Sequence, residues 1–296
     1  LSRRLHAVVP AKINLGLEVV GRRPDGYHEL VTILQTVSLF DRFEWTATGS
    51  EFEYEGPADV PVATDLVRRA LAGAPDRENW TGRLRVVKRI PVAAGLGGGS
   101  ADAALALRLA FLDADDGELE QRAAELGADV PFFIGGGTAL ATGTGTTLTR
   151  LATPRLWCVL VTPDVEIAEK TRALYDGLEP HDYSEGAIVR DIMATLAIGN
   201  SLILSPPNAF SRRLLRYPVI RYAYDRLGQA GASIISVSGA GPTLYALTES
   251  YAEAARIAGN LAGTAPDAGE IRVVRTVAEW GRTASIVAMA AAIRRG

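Results

Sequence analysis

A single cysteine, Cys158, excludes an internal disulfide framework and a clustered-thiol zinc site, and fits a reducing, cytoplasmic compartment. Cys158 lies in the apolar run 156–161 and is expected to be inert. The three histidines, His6, His28 and His181, give a histidine-based metal site little to work with. Basic excess is also missing: 31 Lys and Arg stand against 34 Asp and Glu, a formal charge of −3, which argues against a general nucleic-acid or acidic-membrane surface and for a small-molecule partner. No apolar run approaches the about 18 residues a membrane helix needs; the longest late stretch, 285–293, is far shorter. Two arginines stand in residues 1–5, but Lys12 and Asn14 interrupt the apolar residues after them, so no signal-peptide core is expected. Neither a Walker phosphate loop nor a Gly-x-Gly-x-x-Gly fingerprint occurs, and Gly-x-Ser-x-Gly and the protein-kinase set are missing.

What is present is a chain of 296 residues, 48% hydrophobic and 22% charged, near the size at which one core splits into two. The stretches 13–20, 41–54 and 84–90 read as strands, with a turn-rich loop at 21–26. The segments 65–73, 101–114 and 119–126 read as helices, the second of them apolar on nearly every side. A Gly- and Thr-rich hairpin at 135–149 comes next, and 151–154 marks the expected boundary between domains 1–154 and 155–296. Beyond it, helical segments at 169–177, 187–198 and 220–230 alternate with strands at 156–162, 233–238, 243–248 and 271–277, an α+β pattern. No heptad seam fixes an oligomeric state.

One segment stands out. Pro91-Val92-Ala93-Ala94-Gly95-Leu96-Gly97-Gly98-Gly99-Ser100-Ala101 sits between a strand and an apolar helix, with four glycines in five positions. Glycines permit positive φ and leave no Cβ between backbone and ligand, so successive N–H groups can face phosphate oxygens. The helix behind it offers unpaired N–H groups and a positive dipole end. The plainer alternative is a flexible strand-to-helix turn.

Three further segments could converge on this loop: Pro10-Ala11-Lys12-Ile13-Asn14-Leu15, Gly127-Ala128-Asp129-Val130-Pro131-Phe132-Phe133, and Ser236-Val237-Ser238-Gly239-Ala240-Gly241-Pro242-Thr243. Together with the loop they resemble the three signature motifs of the GHMP kinase superfamily. Asp25-Gly26-Tyr27-His28-Glu29-Leu30 and the run Gly97-Gly98-Gly99 look most like the members that act on a cytidine diphosphate-linked methylerythritol. The resemblance runs from Pro10 to about Val277.

It implies a ribosomal-S5-like nucleotide domain followed by a ferredoxin-like domain, with the active site between them. It also implies transfer of the ATP γ-phosphate to the 2-hydroxyl of the diphosphocytidyl methylerythritol, on the route to isoprenoid precursors, with Mg²⁺ required. On this resemblance Asp129 is the general base and Lys12 its partner, keeping it ionised. Without it, Asp129 reads as a turn aspartate and Lys12 as a solvent-facing strand lysine. Asn14 shares Lys12's strand face and would bind substrate or hold Asp129, unless it is a satisfied structural Asn. Tyr27 and His28 would meet the cytosine, by stacking and by hydrogen bonds, and Tyr175 resembles the tyrosine that closes over it; each could equally be packed on its own domain. Lys88 and Asp65 would flank the nucleotide. Departures are plain: Ser100-Ala101 replaces a serine pair, Asp65 replaces an Asn, and Ala168-Glu169-Lys170-Thr171 lacks the usual Ser-Thr ahead of Tyr175. Asn208-Ala209-Phe210-Ser211 keeps only the Asn of its segment, and the tail 282–296 has no counterpart. No carboxylate is assigned to the metal; Asp102, early in the helix, is explained by favourable charge near a helix N-terminus.

Overall fold

The computed structural model describes residues 4–58, 60–197, 205–278, 280–281 and 283–295. Its first sheet holds β1 (Arg4–Arg22), β2 (His28–Glu51), β3 (Glu53–Glu55), β4 (Thr81–Val87), β5 (Thr138–Gly143) and β6 (Thr147–Leu151). The order is β3-β4-β2-β5-β6, with β1 also paired to β2. The second sheet is antiparallel, β7 (Trp157–Thr162), β8 (Ile235–Val237), β9 (Leu244–Thr248) and β10 (Glu270–Arg275), in the order β10-β7-β9-β8. The helices are α1 (Leu66–Ala72), α2 (Gly98–Ala110), α3 (Asp116–Leu126), α4 (Phe132–Gly135), α5 (Lys170–Asp176), α6 (Ala187–Ala197), α7 (Ser211–Leu214), α8 (Pro218–Gln229), α9 (Tyr251–Thr264) and α10 (Ala284–Arg295).

β1 and β2 run well beyond the expected 13–20 and 41–54. From Val9 to Val19 almost every β1 side chain is buried, so the polar alternation that marks a half-exposed strand is missing. Between Asn14 and Leu17 the register against β2 shifts, with Gly16 at φ +107° and its carbonyl held by the Thr32 hydroxyl at 2.6 Å. This bulge interrupts the β1–β2 ladder, which resumes at Leu17 opposite Thr32.

Among the described residues, three apolar clusters form the interior. In the first, Phe43 and Trp45 of the first sheet meet Leu105 and Leu109 of α2 and Phe133 of α4. The second lies between the sheets: Ile13, Leu15 and Ile33 pack against Val189 and Ile192 of α6 and against Cys158, Leu160, Tyr245 and Leu247. Val159, Val161, Leu244 and Ala246 alternate to the far side of the second sheet, where α8 and α9 bring Ile220, Leu227, Ile257 and Leu261. Alternation along β7 and β9 thus serves two cores at once. The order β7-α8-β8-β9-α9-β10 is the ferredoxin-like strand and helix pattern. Cys158 is buried, and burial pushes its thiol up to about 12, so the thiolate is disfavoured.

Three findings depart from the sequence reading. The helix expected from 101 begins at Gly98. Helix α9 has no counterpart among the expected elements. Residues 284–295, expected with the second domain, form α10 and return to the first core through Ile286, Met289 and Ile293. Their three- and four-residue spacing makes an apolar stripe that needs an apolar surface. Ile198, expected to end α6, and Arg282 and Gly296 of the tail lie outside the described residues. Among the described residues no helix is long and apolar enough to cross a membrane.

Candidate functional site

The glycine loop connects β4 to α2 and is held from behind by its carbonyls. Leu96 O accepts from Lys12 N at 2.9 Å, Gly95 O from the Ser238 hydroxyl at 2.9 Å, and Ala94 O from Thr243 N at 3.3 Å. Ala93 O accepts from the Lys170 ammonium. Two glycines of the loop combine a positive φ with a close approach. A Cβ on Gly95, at φ +81°, would lie 2.1 Å from the Ser238 carbonyl oxygen, and one on Gly97, at φ +71°, would lie 2.9 Å from the Phe133 ring. Gly97 is the N-cap of α2, and the first helical bond runs from Ala101 N to Gly97 O at 2.9 Å. The N–H groups of Gly98, Gly99 and Ser100 therefore precede the helical ladder. A Cβ on Gly99 would meet nothing within 4 Å, so the loop is open on that side. This open, amide-rich turn fits a phosphate group.

Two cavities meet at Gly95, Gly97 and Ser100. The smaller, about 280 Å³, lies under the loop and is lined by Val60, Asp65, Lys88, Pro91 and Asp102. Asp65 caps α1, its Oδ1 accepting from Val67 N at 2.9 Å and Arg68 N at 3.2 Å. Lys88 bridges Asp41 and Asp102, reaching Asp102 Oδ2 at 2.7 Å, while Asp41 Oδ1 accepts from Ile90 N at 2.9 Å. Burial, followed by the charge of Asp41, holds the Asp102 carboxyl well above the usual carboxylate range, against the pull of Lys88.

The larger cavity, about 980 Å³, opens on the other side of the loop and is lined by Lys12, Asn14, Tyr27, His28, Asp129 and Tyr175 among others. Lys12 and Asn14 come from β1 just before the bulge, and their shared face lets Lys12 Nζ donate to Asn14 Oδ1 at 2.9 Å. Asn14 Nδ2 donates in turn to Thr32 Oγ1 at 2.8 Å, and Tyr245 OH to Asn14 O at 2.6 Å. So anchored, Lys12 Nζ stands 3.4 Å from Asp129 Oδ2; Lys12 is buried, while Asp129, in the turn before α4, keeps 40% of its side chain exposed. An ammonium buried in protein thus faces a carboxylate open to the cavity.

At the far end of this cavity three rings assemble. His28 stacks on Tyr175 with centroids 5.0 Å apart, and Tyr175 meets Phe210 edge-on at 4.9 Å. Burial, with a smaller push from Arg22, lowers the His28 pKa, so its imidazole is neutral at pH 7. Burial, then the Asp129 charge, raises the Tyr175 hydroxyl. Tyr27 is 67% exposed on the rim, in the turn tied by its own N–H to Asp25 Oδ1 at 3.1 Å. Sequence reasoning assigns no role to Phe210, Thr32 or Lys170. Asn208, which precedes Phe210, braces the last glycine motif by donating to Val237 O and Gly239 O, both at 2.9 Å.

Comparison with known proteins fits this geometry. Residues 62–137 match the family described as GHMP kinases N terminal domain, and residues 198–267 match GHMP kinases C terminal. The chain belongs to the GHMP kinase family, with its two-domain fold. A protein of Pelotomaculum thermopropionicum named 4-diphosphocytidyl-2-C-methyl-D-erythritol kinase is 40% identical over 268 residues, 85% of this chain and 92% of that one. A Dehalococcoides mccartyi protein of the same name is 38% identical over 267 residues, 87% of this chain and 94% of that one. A crystal structure of 4-(cytidine 5'-diphospho)-2C-methyl-D-erythritol kinase superposes with a TM-score of 0.76 at 33% identity, covering 92% of this chain and 99% of the other. The homoserine kinase of Cytophaga hutchinsonii, at 15% identity and a TM-score of 0.67, shares the fold.

Proposed function

We propose that this protein transfers the γ-phosphoryl group of ATP to the 2-hydroxyl of 4-diphosphocytidyl-2-C-methyl-D-erythritol. The observation that carries the reading is the pair of cavities on either side of one glycine loop, with Lys12 and Asp129 in the larger. A donor nucleotide under the loop, between Asp65 and Lys88, would bring its terminal phosphates to the Gly98, Gly99 and Ser100 amides. An acceptor in the larger cavity would bring its hydroxyl to Asp129.

In that arrangement Asp129 accepts the hydroxyl proton as the oxygen bonds to the γ-phosphorus and the bond to the β,γ-bridging oxygen breaks, releasing ADP. Lys12 neutralises charge on the moving group, and Asn14 holds Lys12 in place. Mg²⁺ would supply charge neutralisation to the donor phosphates, and the Ser100 hydroxyl at the start of α2 would help to hold it. The neutral His28 imidazole can accept a hydrogen bond from the cytosine amino group. Stacked rings need centroids at least about 4.5 Å apart, so a base does not fit between His28 and Tyr175; it stacks on the outside of that pair, with Tyr27 closing from the rim.

ADP release should occur with the cytidyl substrate and not with homoserine or mevalonate. Asp129→Asn should lower kcat by about 10²–10⁴-fold, the usual worth of a positioned general base. Turnover with another alcohol would refute the cytidine assignment, and an Asp129→Asn enzyme of near wild-type kcat would refute the base.

A further inference from the structure

Lys170, the first residue of α5, is buried, and among the described residues no carboxylate pairs with it. Its ammonium instead donates to two carbonyls, that of Ala93 in the glycine loop and that of Gly241 in the last glycine motif. Burying an unpaired ammonium is unfavourable, and burial pulls its pKa down to about 8. Two charge-assisted hydrogen bonds offset part of that cost. The lysine therefore sits where an apolar side chain would be easier to bury.

A second observation falls on the same spot. The two non-glycine residues at positive φ among the described residues are Ala93, at +53°, and Glu169, at +43°. One accepts the Lys170 hydrogen bond and the other precedes Lys170 in the chain. Conformations of this kind persist where surrounding contacts over-determine them, and they gather at ligand clamps. In a planar trans peptide the carbonyl and the following N–H point opposite ways. Holding Ala93 O from behind thus fixes the direction of the Ala94 N–H.

We propose that Lys170 is a positioning residue that locks the glycine loop to the Gly239–Gly241 turn, so that the loop amides are aimed before ATP arrives. This rests on the reading of the loop as a phosphate cradle. Residues from the two halves of the chain are involved: the loop leaves the first sheet, whereas Lys170 and Gly241 belong to the second half. The lock sets donor affinity and leaves the ring cluster at His28 and Tyr175 untouched.

Calorimetric titration of ATP with Mg²⁺, and separately of 4-diphosphocytidyl-2-C-methyl-D-erythritol, on wild type, Lys170→Met and Lys170→Arg tests this. Lys170→Met should weaken ATP about tenfold while acceptor affinity stays within about threefold, and Lys170→Arg, which keeps the charge, should recover most of the ATP affinity. If Lys170→Met fails to fold, Lys170→Gln, which keeps a donor and loses the charge, carries the same expectation. Unchanged ATP affinity in the neutral variant overturns the proposal and spares the cradle. Equal weakening of both ligands, the mark of general loosening, also overturns it. A wild type that does not bind ATP removes the cradle reading and the lock together.

Discussion

Two glycines in one loop should respond to alanine in opposite ways. Gly95 stands at φ +81°, and a Cβ there would lie 2.1 Å from Ser238 O and 2.9 Å from Gly241 N, both backbone atoms that cannot rotate aside. The left-handed conformation alone costs an L-residue about 1–2 kcal/mol. Separating the loop from the turn also loses the hydrogen bond from the Ser238 hydroxyl to Gly95 O, about 1 kcal/mol more. A loss of about 2–3 kcal/mol lowers the melting temperature by about 5–10 °C in a chain of this size. Gly99 is helical and open, so alanine there should stabilise by about 0.5 kcal/mol through reduced backbone freedom. Its new methyl group, however, projects from the amide-rich turn, and if phosphates rest there the KM for ATP should rise about tenfold, or about 1.4 kcal/mol. Thermal melts paired with ADP-release kinetics read both effects. A Gly99→Ala enzyme with wild-type stability and wild-type KM for ATP would falsify the cradle, and a Gly95→Ala protein melting with the wild type would refute the close-approach argument.

Two more expectations concern pH and the core. His28 has a folded pKa below its ordinary value, so the unfolded chain takes the proton first; the stability it contributes is complete above about pH 6.5 and is lost as pH falls through the folded value. Protonation also removes its acceptor nitrogen, so the KM for the cytidyl substrate should be flat above the ordinary imidazole value of about 6.5 and climb only at more acid pH, and His28→Gln should flatten the climb; superimposable wild-type and variant profiles would rule this out. Met289, fully buried in the first core from α10, should cost about 2–4 kcal/mol when changed to Ala, measured by urea midpoint. A loss below about 1 kcal/mol would mean that α10 contributes little to that core.

The glycine loop is legible in the sequence because glycine spacing is a local signal, and Lys12 and Asn14 are legible as neighbours because strand side chains repeat every two residues. The contact between Lys12 and Asp129 is different, since 117 positions separate them and only the resemblance to other kinases joins them before the fold does. Helix α9 carries a readable start, Ser250 accepting from Glu253 N at 3.2 Å, but its apolar stripe of Ala254, Ile257 and Leu261 is diluted by small residues on every side. The stripe of α10 is likewise present; which core it covers is a tertiary fact. Nothing local marks Lys170 as buried, since a lysine opening a helix is ordinarily solvated.

Strand β1 passes through all three apolar clusters in turn: Ala7 and Val9 in the first, Ala11, Ile13 and Leu15 in the one between the sheets, and Leu17 and Val19 in the third. A cut near residue 154 would therefore not release two self-sufficient pieces, because the piece bearing the second sheet would lose the strand that completes its interior. The polypeptide should melt as a single cooperative unit despite its two sheets. Lys12 and Asn14 thus stand on the one strand that ties the three cores together, so the reacting centre inherits the packing of the whole molecule.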